Sequence, residues 1–272
     1  MKHPVVLITG ASSGIGRAAA LSLAQQGVRV YGTSRNPSPH TINGGVQSSG
    51  FLRMMALDVC SEESVARAVA EVMAAEGRID VLVNNAGNGI CGSIEDTTVD
   101  EARRQFDTNF FGVLRMCRAV LPVMRAQRDG IIVNIGSVAG HIAIPYQSMY
   151  SASKFALEAL TEALRIETKP FGIRAVIIDP GDTRSGFTAS RQWVQAAAGS
   201  PYEEKCSRAI EAMAKSERNA PEPAAVVKAI CRVVAKRRTP VRIIVGWDYK
   251  LVVLAKRLLP ARLVEFVVGR LY

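Results

Sequence analysis

The 272-residue sequence has few cysteines and no apolar run long enough to cross a membrane. Its five cysteines are widely spaced and include no Cys-x-x-Cys pair, which disfavours both a disulfide framework and a zinc site. A transmembrane helix needs about 20 consecutive apolar residues, and no such run occurs. The first apolar run, residues 5–8, is too short for a secretory leader. We therefore expect a cytoplasmic protein that binds no metal.

The sequence is also short of acidic residues, with 24 Asp and Glu against 34 Lys and Arg, a net charge of +10. Most of this charge lies after Pro221, where eleven basic residues face three acidic ones. The excess is explained either by a solvated helical face or by contact with anionic lipid or a phosphate-bearing substrate. No nucleic-acid recognition motif accompanies it, so we expect no nucleic-acid partner.

The pattern of apolar residues predicts one α/β domain over residues 1–272, built on a doubly wound parallel sheet of about seven strands with helices on both faces. An apolar content of 48% is enough for a large core, and no repeat or linker divides the chain. Thr98-x-x-Glu101 is a capping box that marks a helix start. The predicted strands are 5–9, 28–33, 51–57, 81–84, 131–135, 175–178 and 242–245, and the clearest helices are 16–26, 64–75 and 152–168.

Three segments depart from the strand–helix alternation. Residues 36–50 are rich in Pro, Ser, Gly and Asn, which predicts a loop. Residues 182–221 have weak periodicity after a strand end, which favours a helical lid over a pocket. Residues 249–272 mix Leu and Val with basic residues and are interrupted near Pro260, which predicts a pair of amphipathic helices. This tail either lies on a membrane surface or packs on its own subunit, on a partner subunit or over the active-site mouth.

A glycine-rich turn follows the first predicted strand and opens a helix. Backbone N–H groups in such a turn can approach a pyrophosphate, and the helix dipole favours the negative charge. At the end of the second strand, Ser34 and Arg35 stand where dinucleotide folds usually place an acid. An arginine binds a 2′-phosphate that a carboxylate would repel, which favours NADP(H); the alternative is that Arg35 is an ordinary surface residue. The predicted phosphate-binding residues are Gly10, Ser12, Ser13, Gly14, Ile15 and Gly16.

Tyr150 and Lys154 lie four residues apart and share one face of a predicted helix. A free tyrosine has a pKa of about 10 and is a poor base near neutrality, whereas a nearby cation favours the phenolate. Ser137 follows a predicted strand and can hold the substrate oxygen that Tyr150 protonates. The Tyr-x-x-x-Lys spacing also occurs by chance on many helices, and it gains weight from the upstream serine and the glycine turn.

Together these motifs resemble the short-chain dehydrogenase/reductase family in its shorter form, over almost the whole chain. The stretch around Tyr150, with Glu158-Ala159-Leu160 and Pro170-Phe171-Gly172, is similar to the 17β-hydroxysteroid and retinol dehydrogenases. The chain departs from the family pattern in its reduced 36–50 segment and in Asp182. The resemblance rests on TGxxxGIG at 9–16, Asp58-Val59, Asn84-Asn85-Ala86-Gly87, Asn109, Ser137, Tyr150 with Lys154, and Pro180-Gly181 followed by Thr183.

The resemblance implies a Rossmann-type fold and a role for each matching residue. Asp58 would bond the adenine amino group with Val59 beside the ring, and the 84–87 turn, which includes Asn85, Ala86 and Gly87, would lie under the cofactor. Asn109 would hold a water that relays protons to Lys154. Lys154 would also bind the nicotinamide ribose. The Pro180-Gly181 turn would meet the cofactor, and Thr183 would fix the carboxamide.

The activity we predict is hydride transfer between NADP(H) and an apolar secondary alcohol or ketone. Tyr150 is the acid/base, and His141 lies close enough in sequence to Ser137 to join the substrate pocket, although a structural role is its alternative. Other hypotheses are a 3-oxoacyl thioester reductase, a non-catalytic NADP(H)-binding regulator and a sugar-nucleotide epimerase. The family resemblance also implies a homodimer or homotetramer, paired through helices near 100–125 and 152–168.

Overall fold

Ten short strands occur in the part of the chain that the computed structural model describes, which is residues 3–37, 41–43, 50–184, 186–236 and 238–271. The rest of the predicted 36–50 loop, Ser185 of the predicted lid and Tyr272 of the predicted tail lie outside these residues. The strands are β1 Val5–Ile8, β2 Arg29–Ser34, β3 Thr41–Asn43, β4 Phe51–Ala56, β5 Val81–Asn84, β6 Ile90–Cys91, β7 Gly130–Ile135, β8 Ile173–Pro180, β9 Gln192–Trp193 and β10 Arg242–Val245.

Eight of these strands form one sheet in the order β10-β8-β7-β5-β1-β2-β4-β3. All its pairings are parallel except β3 with β4, which is antiparallel. The sheet has eight strands, one more than the expected number of about seven. The loop expected at Thr41–Asn43 is wrong, because these residues form β3. Three exposed residues between polar neighbours carry no strand periodicity, and only pairing with β4 makes them a strand. The other two strands, β6 and β9, form a separate parallel pair.

Helices cover both faces of the sheet, as predicted, because alternate strand residues face opposite sides. Val5 and Leu7 pack with helices on one face of the sheet, whereas Val6 and Ile8 pack with helices on the other face. A π-helical turn, Asp107–Phe111, joins the third helix to the fourth. The helices are α1 Gly14–Gln25, α2 Glu62–Glu76, α3 Val99–Phe106, α4 Gly112–Gln127, α5 Ser148–Thr168, α6 Phe187–Ser190, α7 Glu203–Asn219, α8 Ala224–Ala235, α9 Trp247–Leu258 and α10 Ala261–Leu271.

The predicted helix starts are close to those of the structure. The capping box is present: the Thr98 side chain accepts from the Glu101 N–H, and Glu101 accepts from the Thr98 N–H. Helix α5 begins at Ser148 rather than at 152, so Tyr150 lies in its first turn and Lys154 one turn later. The two side chains are therefore on the same helical face, as their spacing predicts.

The predicted lid and tail are helical. The lid contains α6, β9 and α7, and the tail is the helix pair α9 and α10 with Pro260 between them. A Cβ on Gly181 would overlap the Tyr249 ring, so α9 packs directly on the end of β8. In the described ranges, no helix combines the length and the apolar character that a membrane span requires.

Candidate active site

A large cavity opens at the carboxyl ends of β1, β2, β5, β7 and β8, where open α/β sheets bind their ligands. Its volume is about 1030 Å³, and it runs from the glycine turn past Tyr150 to the tail helices. All the predicted site residues line this cavity except Gly16, Asn109 and His141. The fold thus gathers residues from the whole length of the chain along one edge of the sheet.

The glycine turn between β1 and α1 is tightly packed. Gly10 and Gly14 have φ angles of 67° and 52°, a region that favours glycine. A Cβ on Gly16 would overlap the Gly10 carbonyl oxygen and the Asn85 amide. Gly16 therefore packs against the inside of the turn and does not line the cavity. The Asn85 side chain donates to the carbonyl oxygens of Thr9 and Gly10, both at 3.0 Å. These contacts leave the N-terminus of α1, with Ser12, Ser13 and Ile15, facing the cavity.

The turn after β5 is held against the same loop. The Thr9 hydroxyl accepts from the backbone N–H groups of Asn85 and Ala86, each at 3.0 Å. A side chain on Gly87 would press against the Asn109 amide oxygen. These contacts fix the backbone of the turn at residues 84–87, which is predicted to lie under the cofactor. Asn85, Ala86 and Gly87 line the cavity, whereas Asn84 does not.

Polar side chains line the cavity at the ends of β2 and β4. Ser34 and Arg35 line it at the end of β2, and no residue that the structure describes makes a hydrogen bond to the buried Ser34 hydroxyl oxygen. A buried hydroxyl oxygen ordinarily has a hydrogen-bond partner, and a bound ligand is the simplest partner for this one. One Asp58 carboxylate oxygen accepts from the Cys60 N–H at 2.9 Å, and Val59 is buried beside it. Residues present thus fit a nicotinamide dinucleotide.

Ser137, Tyr150 and Lys154 meet on the floor of the cavity. Ser137 follows β7 after Gly136, and its hydroxyl lies close enough to the Tyr150 phenol to lower the pKa of that phenol. Lys154 Nζ donates to the Ile135 carbonyl oxygen at 2.8 Å and lies 5.7 Å from the centre of the Tyr150 ring. The strand end therefore positions the serine, and two turns of α5 position the tyrosine and the lysine.

Burial is the largest influence on the ionisation of Tyr150 and Lys154. Burial raises the pKa of Tyr150 to about 12, and the Ser137 hydrogen bond opposes that rise only in part. Burial lowers the pKa of Lys154 to about 8, against the charges of Asp179 and Glu158. The lowering of the Tyr150 pKa by Lys154 stays a prediction, and desolvation of the phenolate opposes it. The phenol is consequently protonated at neutral pH, which is the state of a proton donor.

Asn109 lies in the π-helical turn and is 1% exposed. Its amide oxygen accepts from the Asn88 N–H at 3.0 Å, and its Nδ2 donates to the Asn88 carbonyl at 3.0 Å and to Ser153 Oγ at 3.2 Å. The side chain touches Ser153, next to Lys154, and does not line the cavity. Single π-helical turns are rare and concentrate at functional sites, and this one gives no signal in the sequence.

A buried charged cluster lies behind the trio, and sequence reasoning missed most of it. His141 Nε2 is 3.1 Å from Asp179 Oδ2 and 3.5 Å from Glu158 Oε1. Arg242 hydrogen-bonds Glu158 and lies 3.7 Å from Asp179. His141 therefore belongs to this cluster and does not line the cavity, contrary to its expected place in the substrate pocket. An acid inside the apolar run of β8 was the signal for Asp179.

Burial dominates the ionisation of this cluster. It raises the pKa of Glu158 to about 7 and that of Asp179 to about 6, and Arg242 acts in the opposite direction. Burial also lowers the pKa of His141. His141, Glu158 and Asp179 are close enough to one another to hold a metal ion. The Arg242 guanidinium, however, already supplies a positive charge to both carboxylates.

Apolar side chains of the lid and the tail complete the cavity. The Phe187 ring lies 5.3 Å from the Tyr150 ring, and Met213 of α7 lines the same wall. Val252 of α9 and Val264 and Val268 of α10 continue this wall away from the sheet. Thr183 donates to the Gly181 carbonyl at 3.0 Å at the base of the lid, and Pro180 and Gly181 line the cavity beside it.

Residues 4–195 match the family model described as short chain dehydrogenase. Over 247 residues the chain is 44% identical to a 3-ketodihydrosphingosine reductase of Bacteroides thetaiotaomicron, with 90% of this chain and 89% of the relative aligned. It is 40% identical over 188 residues to human retinol dehydrogenase 8, with 67% and 60% aligned. A crystal structure of a short-chain dehydrogenase from Streptomyces avermitilis superposes with a TM-score of 0.79 at 35% identity, covering 94% of this chain and 93% of that one. The chain belongs to the short-chain dehydrogenase family of oxidoreductases.

Proposed function

We propose that this protein reduces an apolar ketone to a secondary alcohol with NADPH. The observation that carries the proposal is the meeting of Ser137, the protonated Tyr150 phenol and Lys154 in a cavity with an apolar wall. The protonated phenol is the form that donates a proton to a developing alkoxide. NADPH as the hydride donor favours the reductive direction.

The chain's own residues account for the proton side of this reaction. Ser137 and Tyr150 would hold the substrate oxygen with two hydrogen bonds and polarise the carbonyl. NADPH, when bound, supplies the hydride to the carbonyl carbon. Tyr150 then transfers its proton to the substrate oxygen, and the Lys154 ammonium stabilises the phenolate that remains. Asn109 would help to return a proton to this site through a bound water.

The cofactor preference rests on Ser34 and Arg35. Arg35 lines the cavity at the end of β2, where a 2′-phosphate would stand, and its guanidinium supplies charge-assisted hydrogen bonds to such a group. Family membership supports a nicotinamide cofactor and leaves the choice between NAD(H) and NADP(H) to these residues.

The substrate class we propose is a ketone on a long alkyl chain. The apolar wall formed by Phe187, Met213, Val252, Val264 and Val268 extends far beyond the reacting atoms. The name of the Bacteroides relative, 3-ketodihydrosphingosine reductase, describes a substrate of this type. A small polar ketone would leave this wall exposed to water, which costs free energy in proportion to its area.

NADPH absorbance in the presence of 3-ketodihydrosphingosine, retinal, a steroid ketone and a 3-oxoacyl thioester tests the proposal. We expect turnover of the long-chain ketone and a higher kcat/KM with NADPH than with NADH. Preference for the thioester would support the alternative in which the basic tail meets phosphates. If the protein binds NADPH but reduces none of these compounds, it is a binding regulator and the proposal is wrong.

A further inference from the structure

The outward face of α9 carries a row of exposed apolar side chains. Trp247, Leu251, Leu254 and Leu258 follow the spacing that places residues on one face of a helix. They are 76%, 54%, 52% and 75% exposed. Burying them would remove a large apolar area from water, so a partner that covers them gains stability. These four residues form the apolar stripe.

The opposite face of α9 holds the helix on the protein, so the stripe has a defined direction. Val253 is buried, and the Lys256 ammonium donates to the His141 carbonyl oxygen. The same ammonium lies 4.9 Å from the centre of the Phe155 ring. The stripe therefore faces outward because the inner face is already engaged.

Positive charge borders the stripe. Lys250 and Arg257 are exposed and lie beside it on the helix surface, and Arg262 and Arg270 follow on α10. After Pro221, eleven basic residues stand against three acidic ones. An amphipathic helix with an apolar face, a terminal tryptophan and basic flanks is the form that binds in the interface of a lipid bilayer.

We propose that the apolar stripe docks this protein on the surface of an anionic phospholipid bilayer. A helix of 12 residues is about 18 Å long, too short for a span, so α9 lies along the surface. A second copy of the chain fits the face less well, because a twofold interface would bring these basic flanks against each other. Anionic headgroups neutralise the same charges.

The docked orientation brings the bilayer close to a helix that lines the cavity. Val252 and Leu259 belong to α9 or follow it directly, and they line the cavity from the helix that carries the stripe. A long-chain ketone dissolved in the bilayer would then enter without crossing water. This last step rests on the proposed function, whereas the docking itself does not, because it is measured without turnover.

Vesicle co-sedimentation tests the docking. Wild-type protein is mixed with phosphatidylcholine vesicles that contain, or lack, about one-third phosphatidylglycerol. The loss of one basic contact with the anionic surface is expected to weaken binding about fivefold. Arg257→Glu should weaken binding to the anionic vesicles at least about fivefold, whereas the same reversal at exposed Arg67 on α2 should not. Wild-type binding should also fall as salt is added.

Paired apolar substitutions test the stripe itself. Leu258→Ser is compared with Ile94→Ser, because the two side chains are 75% and 71% exposed and only Leu258 belongs to the stripe. The triple variant Leu251→Ser, Leu254→Ser and Leu258→Ser should lose at least about tenfold in vesicle affinity. None of these residues lines the cavity, so kcat/KM for a water-soluble ketone should stay within about twofold of wild type.

Tryptophan fluorescence provides a second measurement that leaves the apolar stripe unchanged. The chain has two tryptophans, so Trp193→Phe leaves Trp247 as the only one. Its emission should move to shorter wavelength when anionic vesicles are added, because the indole leaves water. Failure of the wild type to bind anionic vesicles, or equal loss in Leu258→Ser and Ile94→Ser, would overturn the proposal. A triple variant with reduced oligomeric mass and intact vesicle binding would assign the stripe to a subunit interface instead.

Discussion

The Lys154 ammonium lies 5.7 Å from the centre of the Tyr150 ring while its Nζ donates to the Ile135 carbonyl at 2.8 Å. The lysine is thus anchored to the strand that leads to Ser137, and its charge is held near the phenol. Burial raises the pKa of Tyr150 to about 12, so the phenol carries its proton at neutral pH.

Replacing Tyr150 with phenylalanine should lower kcat by about 10²- to 10⁴-fold, because the proton donor is lost while the ring remains. The dissociation constant for NADPH should change little, since the glycine turn and Arg35 are intact. Stopped-flow turnover and fluorescence titration with NADPH measure the two quantities. Tyr202→Phe is the matched control, because that hydroxyl bonds Glu95 outside the cavity. Full activity of Tyr150→Phe would contradict the assignment.

Arg35→Ala should raise the KM for NADPH about 10- to 100-fold, the loss expected when charge-assisted hydrogen bonds to a phosphate are removed. The KM for NADH should change far less, because NADH carries no 2′-phosphate. Steady-state kinetics with both cofactors measure the difference. Arg53→Ala on the neighbouring strand removes an arginine that pairs with Glu71 and does not line the cavity, and it should affect neither cofactor. Equal effects of Arg35→Ala on both cofactors would remove the basis for NADP(H) preference.

Glu158→Gln should change how stability depends on pH. The folded pKa of Glu158 is raised to about 7 from an ordinary 4.5, so its favourable contribution is complete below about pH 4.5 and is lost as pH rises through about 7. Glutamine does not ionise, so the variant does not lose stability in this way as pH rises. Relative to wild type, the free energy of unfolding of the variant should rise by on the order of 2 kcal/mol between about pH 5 and about pH 8.

Urea unfolding at the two pH values measures this change. Glu162→Gln is the matched control, because Glu162 also contacts Arg242 but has a side chain that is 57% exposed. It shows how much of the effect comes from the lost contact with Arg242 alone. If Glu158→Gln loses stability equally at both pH values, Glu158 is ionised in the folded protein at low pH and the cluster is described wrongly.

Gly16→Ala should destabilise the protein even though alanine is the better helix former. Alanine gains about 0.5–1 kcal/mol inside a helix, but its Cβ would overlap the Gly10 carbonyl, and such overpacking costs about 1–3 kcal/mol. NADPH affinity should fall as well, because the turn that faces the pyrophosphate must move. Thermal unfolding with and without NADPH measures both effects. Gly269→Ala is the matched control, a helical glycine whose added Cβ would meet nothing within 4 Å.

Much of the site was predictable because its chemistry lies in short local patterns. The TGxxxGIG turn, the Tyr150–Lys154 spacing and Ser137 each occupy a few consecutive residues, and buried parallel strands leave apolar runs that are easy to recognise. The order of strands and helices follows from the same runs, and the predicted strand positions are close to those of the structure. The amphipathic pair around Pro260 is likewise present as α9 and α10.

Other features depend on residues that are distant in sequence. The short strand β3 exists only through its pairing with β4, and its three residues have no alternation of their own. His141, Glu158, Asp179 and Arg242 come from four separate elements, so their shared burial and their shifted pKa values could not be seen in any one of them. The rise in the pKa of Tyr150 has the same origin, because desolvation depends on everything packed around the phenol.

The sequence by itself determined the family, the doubly wound sheet and the identity of the reactive side chains, because these are encoded in local spacing and composition. The tertiary structure decided the ionisation of Tyr150 and Lys154, the position of His141 in the buried cluster and the outward direction of the apolar stripe. Each of these depends on which atoms surround a side chain, and burial is a property of the folded chain rather than of any segment.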